Sequence, residues 1–506
     1  MAADARETEI KYEATEGTTL PDFADLPQVT STSRAPDEQL GAEYFDTADH
    51  RLIEAGISLR RRRGGHDAGW HLKLPASAHT RREIAAPLGR AGQAVPEELA
   101  SLVRVHTRGA RLRRVARIST RRERLLLLDD AGQCLAEVAS DDVAARTVGD
   151  PGSDTRWREV EFELKAGDRD LLAAADRLLR RNGLRRASQL PKLARALGRR
   201  EPSPEAAPSL TKSAPAGRVI LGYFADQVAA LKAYDPLVRM GEPDSVHQMR
   251  TIIRRLRSTL ASFGRMLRAS QSDPLDEELR WFGSVLGAAR DVEVLEAHLA
   301  AQVDGIPEPQ LIGPVMARVG GHFTRLGEQA RAEVLEVLDS ARYFALLDRL
   351  DRLVASPRFT ARASRPASRA LLADVRGCYA RTRRRMKRAL KRPPGAQTDI
   401  ALHRARKAAK RARYAGEALA SAFGPDASRF ARQMKRLQSL LGEHQDSVIA
   451  RQADRDLAVV AHLAGESAFT YGVMYERDDL HAKSLARQAG SAWRKASRAR
   501  YRRWLR

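Results

Sequence analysis

The chain has 506 residues and a net charge of +24, from 88 Lys and Arg against 64 Asp and Glu. Its 43% apolar content is typical of globular rather than disordered proteins, and at roughly 150 residues per domain the length predicts about three domain-sized units. No run approaches the roughly 18 apolar residues of a membrane span, the N-terminus lacks an apolar signal core, and two cysteines cannot form a disulfide framework. We therefore expect a reducing cytoplasmic location and, from the excess of basic charge, a polyanionic partner.

Alternating polar and apolar residues predict strands in the first part of the chain. The segments are ETEIKYEA (7–14), ISLRRRR (57–63), GWHLKLP (69–75), VARISTRRE (115–123) and WREVEFELKAG (157–167). One helix is predicted after them, beginning at a capping Asp168 and ending at Gly183.

Charged side chains occupy alternate positions in several of these strands, so they project to one face. The first strand carries Glu7, Glu9 and Lys11 in this way, and the last carries Glu159, Glu161, Glu163 and Lys165. A solvent-exposed face would explain any single strand. If the faces line a closed barrel, however, its interior mixes acids and bases. That mixture suits a metal–phosphate site, because Mg²⁺ and Mn²⁺ prefer carboxylate oxygens and phosphates bind Arg and Lys.

The segment EPSPEAAPSLTKSAPAG (201–217), with four prolines and three serines, reads as a linker. The charge differs sharply on its two sides. Residues 218–506 hold 52 basic and 31 acidic residues, whereas residues 1–217 hold 36 and 33. Almost all of the excess therefore belongs to the second part, where apolar residues three and four apart predict helices.

The helical part contains an internal repeat. The segment VHQMRTIIRRLRSTL includes His247, and LHRARKAAKRARYAG includes His403, 156 positions later. SVLGAARD and SLLGEHQD match in the same way at an offset of 155. In each basic segment the spacing places His and Arg or Lys along one helical face, which must meet water, carboxylates or a polyanion. A solvated basic face explains one such helix, but two matched helices favour an anion site.

The helical part resembles the CHAD domain, over roughly 218–500, because the motif H-x-x-R-x-x-x-(R/K)-R-x-R occurs twice. The resemblance implies two four-helix bundles, in repeats of about 218–355 and 365–500, around a basic groove that binds inorganic polyphosphate. The implied polyphosphate-binding residues are His247, Arg250, Arg254, Arg255, Arg257, His403, Arg406, Lys410, Arg411 and Arg413.

The strand part resembles the CYTH domain of the triphosphate tunnel metalloenzymes, over roughly 5–198, with 199–217 as linker. ETEIK matches the E-x-E-x-K signature, and YFDT (44–47), Leu59–Arg62, WHLKLP, Arg121–Arg122, AEVASDD (136–142) and the E-x-E-x-K at 161–165 follow in order. The fold class implied is α+β plus all-α: an N-terminal antiparallel β-barrel tunnel and a C-terminal duplicated four-helix-bundle domain.

The CYTH resemblance also implies roles for individual residues. The implied ligands for Mg²⁺ or Mn²⁺ are Glu7, Glu9, Asp141 (with Asp142 as the alternative), Glu159, Glu161 and Glu163, of which Glu161 and Glu163 are also catalytic candidates. The implied triphosphate-binding residues are Lys11, Arg60, Arg62, Lys73, Arg122 (with Arg121 as the alternative), Lys165 and Lys192. Pro191 stands where the family commonly has Ser.

These features predict a cytoplasmic, metal-dependent triphosphatase or short-chain polyphosphate hydrolase joined to a polyphosphate-binding domain, with triphosphate and polyphosphate as partners. The alternative is a non-enzymatic polyphosphate-binding protein associated with polyphosphate granules. Nucleic-acid binding ranks lower, because the basic helices offer few aromatic side chains for base stacking. Nucleotide cyclisation, also known in the CYTH family, ranks low because no adenine pocket is specified.

Overall fold

The computed structural model describes residues 3–15, 17–76, 80–90, 92–148, 154–187, 191–199 and 210–506. Residue contacts divide the chain into two units, Met1–Ala207 and Pro208–Arg506. Residues 200–209 of the predicted linker lie outside the described residues. None of the described helices is long and apolar enough to cross a membrane.

The first unit is built on one antiparallel sheet. Its described strands are β1 (Ala3–Ala14), β2 (Ser31–Asp46), β3 (Ser58–Arg63), β4 (Gly69–Pro75), β5 (Thr80–Pro87), β6 (Arg113–Leu128), β7 (Cys134–Thr147), β8 (Thr155–Leu164) and β9 (Arg185–Arg186). The order is β5-β4-β3-β2-β6-β7-β8-β1, and β1 also pairs with β5, so eight strands close into a barrel. The predicted antiparallel barrel is confirmed, and β9 extends β1 outside it.

Three of the eight barrel strands, β2, β5 and β7, are missing from the alternation-based prediction, as is the two-residue β9. In β2 the pairing register shifts between Ala35 and Glu38, around Pro36, so the alternation is interrupted. In β7 the consecutive residues from Leu135 to Ala139 are all buried, and Glu137 is the one polar residue among them, so polar and apolar residues do not alternate along this run. β5 begins with a run of polar side chains rather than an alternating pattern.

Five helices accompany the barrel: α1 (Arg51–Glu54), α2 (Glu97–Leu102), α3 (Arg104–Thr107), α4 (Arg169–Arg181) and α5 (Lys192–Ala196). The predicted Asp168 cap of α4 is confirmed, since its carboxylate accepts hydrogen bonds from Asp170 N and Leu171 N. α4 covers the outside of β1 and β8, where Tyr12, Phe162 and Leu171 share one buried cluster.

One end of the barrel interior is filled by apolar side chains. Val143 alternates with Asp141 along β7 and so faces inward. It joins Ile118 of β6 and the α5 residues Leu193 and Ala194 in a second buried cluster. The short helix α5 therefore closes this end, and the polar part of the interior lies beyond it.

The second unit is helical throughout. Its helices are α6 (Ala216–Met240), α7 (Ser245–Phe263), α8 (Ala269–Asp304), α9 (Val315–Leu338), α10 (Ala341–Ala355), α11 (Ala367–Ala370), α12 (Leu372–Ala389), α13 (Ala396–Ala418), α14 (Ala420–Phe423), α15 (Pro425–Leu463) and α16 (Phe469–Ala496). At the repeat offset, α6, α7, α8 and α9 correspond to α12, α13, α15 and α16. Each repeat thus supplies four principal helices.

The two repeats share a buried layer. Near the ends of their long helices, Leu299 of α8 and Phe323 of α9 belong to the same apolar cluster as Leu457 of α15 and Met474 of α16. A larger cluster joins α6 to α12, α13 and α15. Since these layers connect residues of both repeats, the second unit has a continuous core of its own.

Candidate functional site

The barrel interior brings most of the predicted tunnel residues to one polar cavity. Residues at alternate positions of the strands face it, together with the first residue of α5. The predicted residues that line it are Glu7, Glu9, Lys11, Arg60, Arg62, Lys73, Arg122, Glu161, Glu163, Lys165 and Lys192. The remaining two, Asp141 and Glu159, are buried beside Glu161. The sequence-predicted carboxylates and cations therefore belong to a single site.

A cluster of three carboxylates lies deepest. Ligand oxygens of Asp141, Glu159 and Glu161 are all within 4.8 Å of one another. Lys192 Nζ lies 2.9 Å from Asp141 Oδ2, 2.6 Å from Glu159 Oε1 and 2.7 Å from Glu161 Oε1. Pro191 begins α5 without a side-chain cap and leaves the following lysine directed at the acids. One ammonium group thus holds three carboxylates together.

Arg122 neutralises the same cluster from β6. Its Nε and Nη2 donate to the two oxygens of Asp141 at 2.8 and 2.7 Å, and Nη2 also donates to Glu161 at 2.7 Å. The alternatives to this pair point outward: Arg121 pairs with Asp37 at 3.3 Å, and Asp142 pairs with Arg158. Strand register therefore places Arg122 and Asp141, rather than Arg121 and Asp142, inside the barrel.

The cluster stays ionised because its opposite charges outweigh burial. Burial alone would raise the pKa of Glu161, but Lys11, Lys192 and Arg122 hold that pKa well below its usual range. Burial alone would lower the pKa of Lys192, but Asp141, Glu159 and Glu161 raise it well above its usual value. Each charge depends on its partners for its stability.

A second group of charges lies on β1, β4 and β5. Lys73 contacts Glu7, and its Nζ is 4.0 Å from Glu83 Oε1. Burial raises the pKa of Glu7 to about 7, although Lys73 opposes the shift. Glu83 keeps a pKa below its usual value despite burial, because Lys73 and a 2.8 Å contact with His71 Nδ1 favour its charged form. These ionisable side chains therefore lie in the barrel before the deeper cluster of Asp141, Glu159 and Glu161.

A third group of charged residues in the barrel contains the arginines of β3. Arg60 and Arg62 alternate on β3, and burial, together with repulsion from Arg60 and Arg122, lowers the pKa of Arg62 to about 9. Asp67 contacts Arg62, and Arg60 Nη2 lies 3.8 Å from Glu83. Burial and two neighbouring guanidinium groups thus disfavour the charge on Arg62, and a phosphate oxygen placed beside it would compensate that charge.

The helical unit has its own cluster of cations. Arg250 and Arg254 of α7 meet Arg406 and Lys410 of α13. Burial and the nearby Arg254, Arg406 and Arg250 lower the pKa of Lys410 to about 7. Across the described residues 210–506, neither Arg254 nor Lys410 makes an ion pair. Four cations held together with so little neutralisation indicate a site for a polyanion.

The repeated glycines explain how this cluster is seated. A Cβ built on Gly287 of α8 would lie 3.5 Å from Arg250 Nη2, and one built on Gly442 of α15 would lie 3.5 Å from Arg406 Nε. The guanidinium groups therefore lie flat against glycine backbone in both repeats. Arg250 Nη1 also donates to Asp291 at 3.0 Å. The Gly and Asp residues that recur in SVLGAARD and SLLGEHQD therefore indicate where the basic residues are supported by α8 and α15.

The other predicted members of the basic segments have different surroundings. Arg255 lies 3.4 Å from Glu417, Arg257 lies 3.2 Å from Asp276, and Arg413 donates to Glu417 at 2.7 Å. Arg411 lines a separate cleft with Arg381 and Arg384. Helical spacing put Arg257 on the stripe, but its carboxylate partner on α8 turns it away from the cluster.

Both histidines of the basic segments lie beside the cluster. Burial lowers the pKa of His247, and Arg290, Arg254 and Arg250 lower it further. Burial and Lys407 likewise lower the pKa of His403. The two imidazoles are therefore neutral neighbours of the cations rather than additional charges near pH 7.

Family models match this chain in two places. A CYTH domain covers residues 5–195, and a CHAD domain covers residues 222–455. The chain is a CYTH–CHAD protein. CYTH enzymes are metal-dependent and of the triphosphatase kind, and the two families are linked to triphosphate and polyphosphate binding.

Several known proteins are similar to this chain in sequence or in structure. Two Mycobacterium tuberculosis proteins, from strains CDC 1551 and H37Rv and described only as uncharacterized, are each 37% identical over 512 residues, spanning 97% of this chain and 96% of their own. Among solved structures, PptA from Streptomyces chartreusis is 21% identical with a TM-score of 0.46, over 56% of this chain and all of that one. The CHAD domain from Ricinus communis is 22% identical with a TM-score of 0.41, over 59% and 93%.

The CYTH barrel of this CYTH–CHAD protein has the donors that a divalent metal ion needs. Glu7, Glu9 and Glu161 present carboxylate oxygens to the cavity. Within the part of the chain that the structure describes, Glu159 Oε1 is buried and accepts no well-aligned hydrogen bond, in spite of its short distance to Lys192. An all-oxygen donor set fits Mg²⁺ or Mn²⁺.

Some site residues lie outside the sequence-based prediction. Glu83 contacts His71 and Lys73, and Glu137 is buried at the cavity wall. A signal for Glu137 was present, because it lies four positions before Asp141 in AEVASDD and so shares its strand face. Glu83 had a weaker signal, since β5 alternates Arg81 with Glu83 but was not recognised as a strand.

Proposed function

We propose that the barrel hydrolyses a phosphoanhydride bond of inorganic triphosphate or another short linear polyphosphate, using a bound divalent metal ion, and that the helical unit binds polyphosphate. The observation that carries the proposal is the closed barrel that directs carboxylates and cations into one cavity. A cavity with only cations would bind phosphate, and one with only acids would bind metal. The two together fit a metal–phosphate complex.

The cations bind and orient the substrate. Arg60, Arg62 and Lys73 line the cavity on adjacent strands and donate hydrogen bonds to phosphate oxygens. The substrate also relieves the repulsion among Arg60, Arg62 and Arg122 that now lowers the pKa of Arg62. A bound phosphate would share or replace the present contacts of these side chains with Glu83, Asp67 and Glu7.

The carboxylates hold the metal ion and a water molecule. Glu7 and Glu9 would hold Mg²⁺ or Mn²⁺ with Glu161, and when bound the ion supplies charge neutralisation and polarises the phosphoryl group. Glu161 is already bonded to Lys11, Lys192 and Arg122. Glu163 contacts only Lys165, at 2.7 Å, among the described residues. We assign to Glu163, rather than Glu161, the orientation of the attacking water.

Phosphate release from triphosphate tests the proposal. The full chain with Mg²⁺ or Mn²⁺ is expected to release orthophosphate, and the double variant Glu7→Gln, Glu9→Gln is expected to lose at least about 100-fold of that rate, because it removes metal ligands. Glu13→Gln serves as the matched control, since Glu13 is an exposed residue of the same strand. No release by the full chain, or equal release by the double variant, would remove the enzymatic part.

A second candidate is a non-enzymatic polyphosphate-binding protein. The cluster of Arg250, Arg254, Arg406 and Lys410 favours it, because that cluster is complete within the helical unit. This alternative predicts retention of long-chain polyphosphate by the full chain with no change in chain length. Measuring chain length and free phosphate in the same reaction separates the two candidates.

A further inference from the structure

Two acids are buried where the repeats meet, away from the basic cluster. Asp454 of α15 is fully buried, and Asp478 of α16 is 2% exposed. Neither carboxylate oxygen of Asp454 has a hydrogen-bond partner within the described residues 210–506. An unpartnered carboxylate in a protein interior is strongly disfavoured, so its presence there needs an explanation.

The internal repeat shows which residues occupy the equivalent positions in the first repeat. At the offset of 155, Asp454 corresponds to Leu299, and Asp478 corresponds to Phe323. Both counterparts are buried members of the apolar layer shared by α8, α9, α15 and α16. The first repeat thus packs two apolar side chains where the second places two acids. The fold itself does not require carboxylates at these positions.

A histidine from the first repeat completes the group. His298 Nε2, on α8, lies 3.0 Å from both carboxylate oxygens of Asp478. Gln302, one turn later, places its side-chain amide 3.2 Å from the same nitrogen, and either amide atom fits that position. The His298 side chain is 29% exposed, which gives the buried acids a route to solvent.

We propose that His298, Asp454 and Asp478 form a binding site for a divalent transition-metal ion such as Zn²⁺, separate from the carboxylate site in the barrel. An imidazole nitrogen with two carboxylates suits Zn²⁺ better than Mg²⁺, which prefers oxygen ligands alone. Facing helices of bundles commonly hold metal ions between such side chains. Gln302 can supply a fourth, oxygen donor.

The electrostatics of the group favour a cation. Burial and the nearby Asp478 carboxylate together raise the pKa of Asp454 to about 8, although His298 opposes the shift. Asp446, about two helical turns before Asp454 on α15, is another acid that faces His298. The surrounding residues from α9 are apolar, including Phe323 and Val319. Because its pKa of about 8 keeps Asp454 protonated at neutral pH, a bound cation would displace its proton and then compensate the two buried carboxylate charges.

The three side chains are less tightly grouped than the barrel acids Asp141, Glu159 and Glu161, whose ligand atoms lie within 4.8 Å of one another. Asp454 makes no hydrogen bond to the His298–Asp478 pair. Binding therefore requires rotation of the Asp454 side chain toward that pair. Asp454 has no hydrogen bond to break among residues 210–506, so this rotation has to overcome only the packing around a fully buried side chain.

Zinc stoichiometry of the full chain tests the site. Equilibrium dialysis with Zn²⁺, in excess Mg²⁺ to occupy the barrel carboxylates, is expected to give one more bound Zn²⁺ for the wild type than for Asp454→Leu or His298→Ala. The leucine variant carries the residue of the first repeat and is expected to fold. The control is Asp456→Asn, because Asp456 is an exposed acid on the same helix; its Zn²⁺ content should match the wild type.

Hydrogen exchange locates the bound ion. Zn²⁺ is expected to slow amide exchange at least several-fold in the parts of α15 and α16 around Asp454 and Asp478 in the wild type, and to leave those segments unchanged in Asp454→Leu. Equal Zn²⁺ content in the wild type and both site variants would overturn the proposal. So would protection confined to other segments. Neither result depends on triphosphatase activity or polyphosphate binding.

Discussion

Two lysines, one in each unit, have opposite electrostatic environments. Lys192 lies among Asp141, Glu159 and Glu161, which raise its pKa, whereas Lys410 lies among arginines, and its pKa is lowered to about 7. Both side chains are largely removed from water. The first is held as part of a neutralised cluster, and the second lacks a counter-ion that a ligand can provide.

Replacing Lys192 with methionine should destabilise the barrel. The substitution leaves three buried carboxylates without their shared ammonium, and breaking a buried ion cluster in this way costs about 3–5 kcal/mol. Urea unfolding, monitored through hydrogen exchange of β7 and β8, measures the loss in the free energy of unfolding. Lys165→Met is the control: that lysine has a 39% exposed side chain and pairs only with Glu163, so less than about 1 kcal/mol is expected. Equal effects would contradict the assigned role of Lys192.

Polyphosphate binding should weaken as pH rises through 7. Bound phosphate favours the charged form of Lys410, so binding takes up a proton once the free lysine has lost one. Between pH 6 and pH 8 the dissociation constant for a long polyphosphate should rise about tenfold, since one pH unit above a pKa of 7 corresponds to a tenfold change. Isothermal titration calorimetry at several pH values measures it.

The variant Lys410→Arg isolates this contribution. Arginine stays charged across the range, so the pH dependence should be largely lost. His247 and His403 are present in both proteins, and burial lowers the pKa of each. A pH dependence that is the same in the wild type and the variant would assign the proton uptake to a group other than Lys410.

At the scale of helices and strands, periodicity predicted the elements whose two faces differ. The alternating β1, β3, β4, β6 and β8 and the capped α4 were all predicted from sequence. β7 was not, because a strand buried on both faces offers no alternation. Local patterns are therefore informative only where burial differs between the faces.

The candidate site shows the same limit. Motif order predicted Glu9, Lys11 and Arg122, but not Glu83, which lies beside the cavity residue Lys73 because β4 and β5 pair in register there. In the helical unit, spacing alone could not separate Arg254 from Arg257, since both fit one face. Asp276 on another helix decides between them. Pairings between distant segments thus carry information that a local pattern lacks.

Close packing of α13 against α15 depends on Gly416. A Cβ at this position would lie 2.9 Å from Cδ1 of the buried Phe430. Gly416→Ala should therefore lose about 1–2 kcal/mol of stability, because overpacking outweighs the better helix propensity of alanine. Thermal unfolding of the full chain measures the change.

Gly327→Ala provides the matched comparison for Gly416→Ala. Gly327 lies within α9 and has no atom within 4 Å of its built Cβ, apart from its own helix and neighbours. Here alanine should stabilise the protein by about 0.5–1 kcal/mol. Substitutions of the same kind should thus have opposite signs, and a stabilising Gly416→Ala would show that α15 can move away.

For the whole molecule, each unit has its own buried core and its own charged site. The net charge of +24 reflects mainly the helical unit, since the barrel balances its cations with carboxylates. Charge counting therefore predicted a polyanionic partner for the helical unit but gave no sign of the barrel site. The barrel site forms where it does because the sheet closes and brings residues of different strands together.

The two activities should be separable in the full chain. Changing Arg250, Arg254, Arg406 and Lys410 together to glutamine should weaken binding of long polyphosphate and reduce its salt dependence, while triphosphate hydrolysis changes less than about twofold. The Glu7→Gln, Glu9→Gln variant should show the reverse. Parallel filter-binding and phosphate-release assays measure both. Loss of both activities in the quadruple variant would show that the helical cations also serve the hydrolysis of short substrates.

The helix α5 gives the barrel a blind end. With Leu193 and Ala194 packed against Ile118 and Val143, a linear chain cannot pass through and emerge on that side. A polymer can insert only its terminus, and the rest of it must remain outside. Internal bonds of a long polymer would then stay beyond reach, and shortening would proceed stepwise from an end, giving small phosphates rather than mid-length fragments. If the barrel hydrolyses polyphosphate as proposed, the five residues of α5 would therefore determine from which part of the polymer phosphate is released.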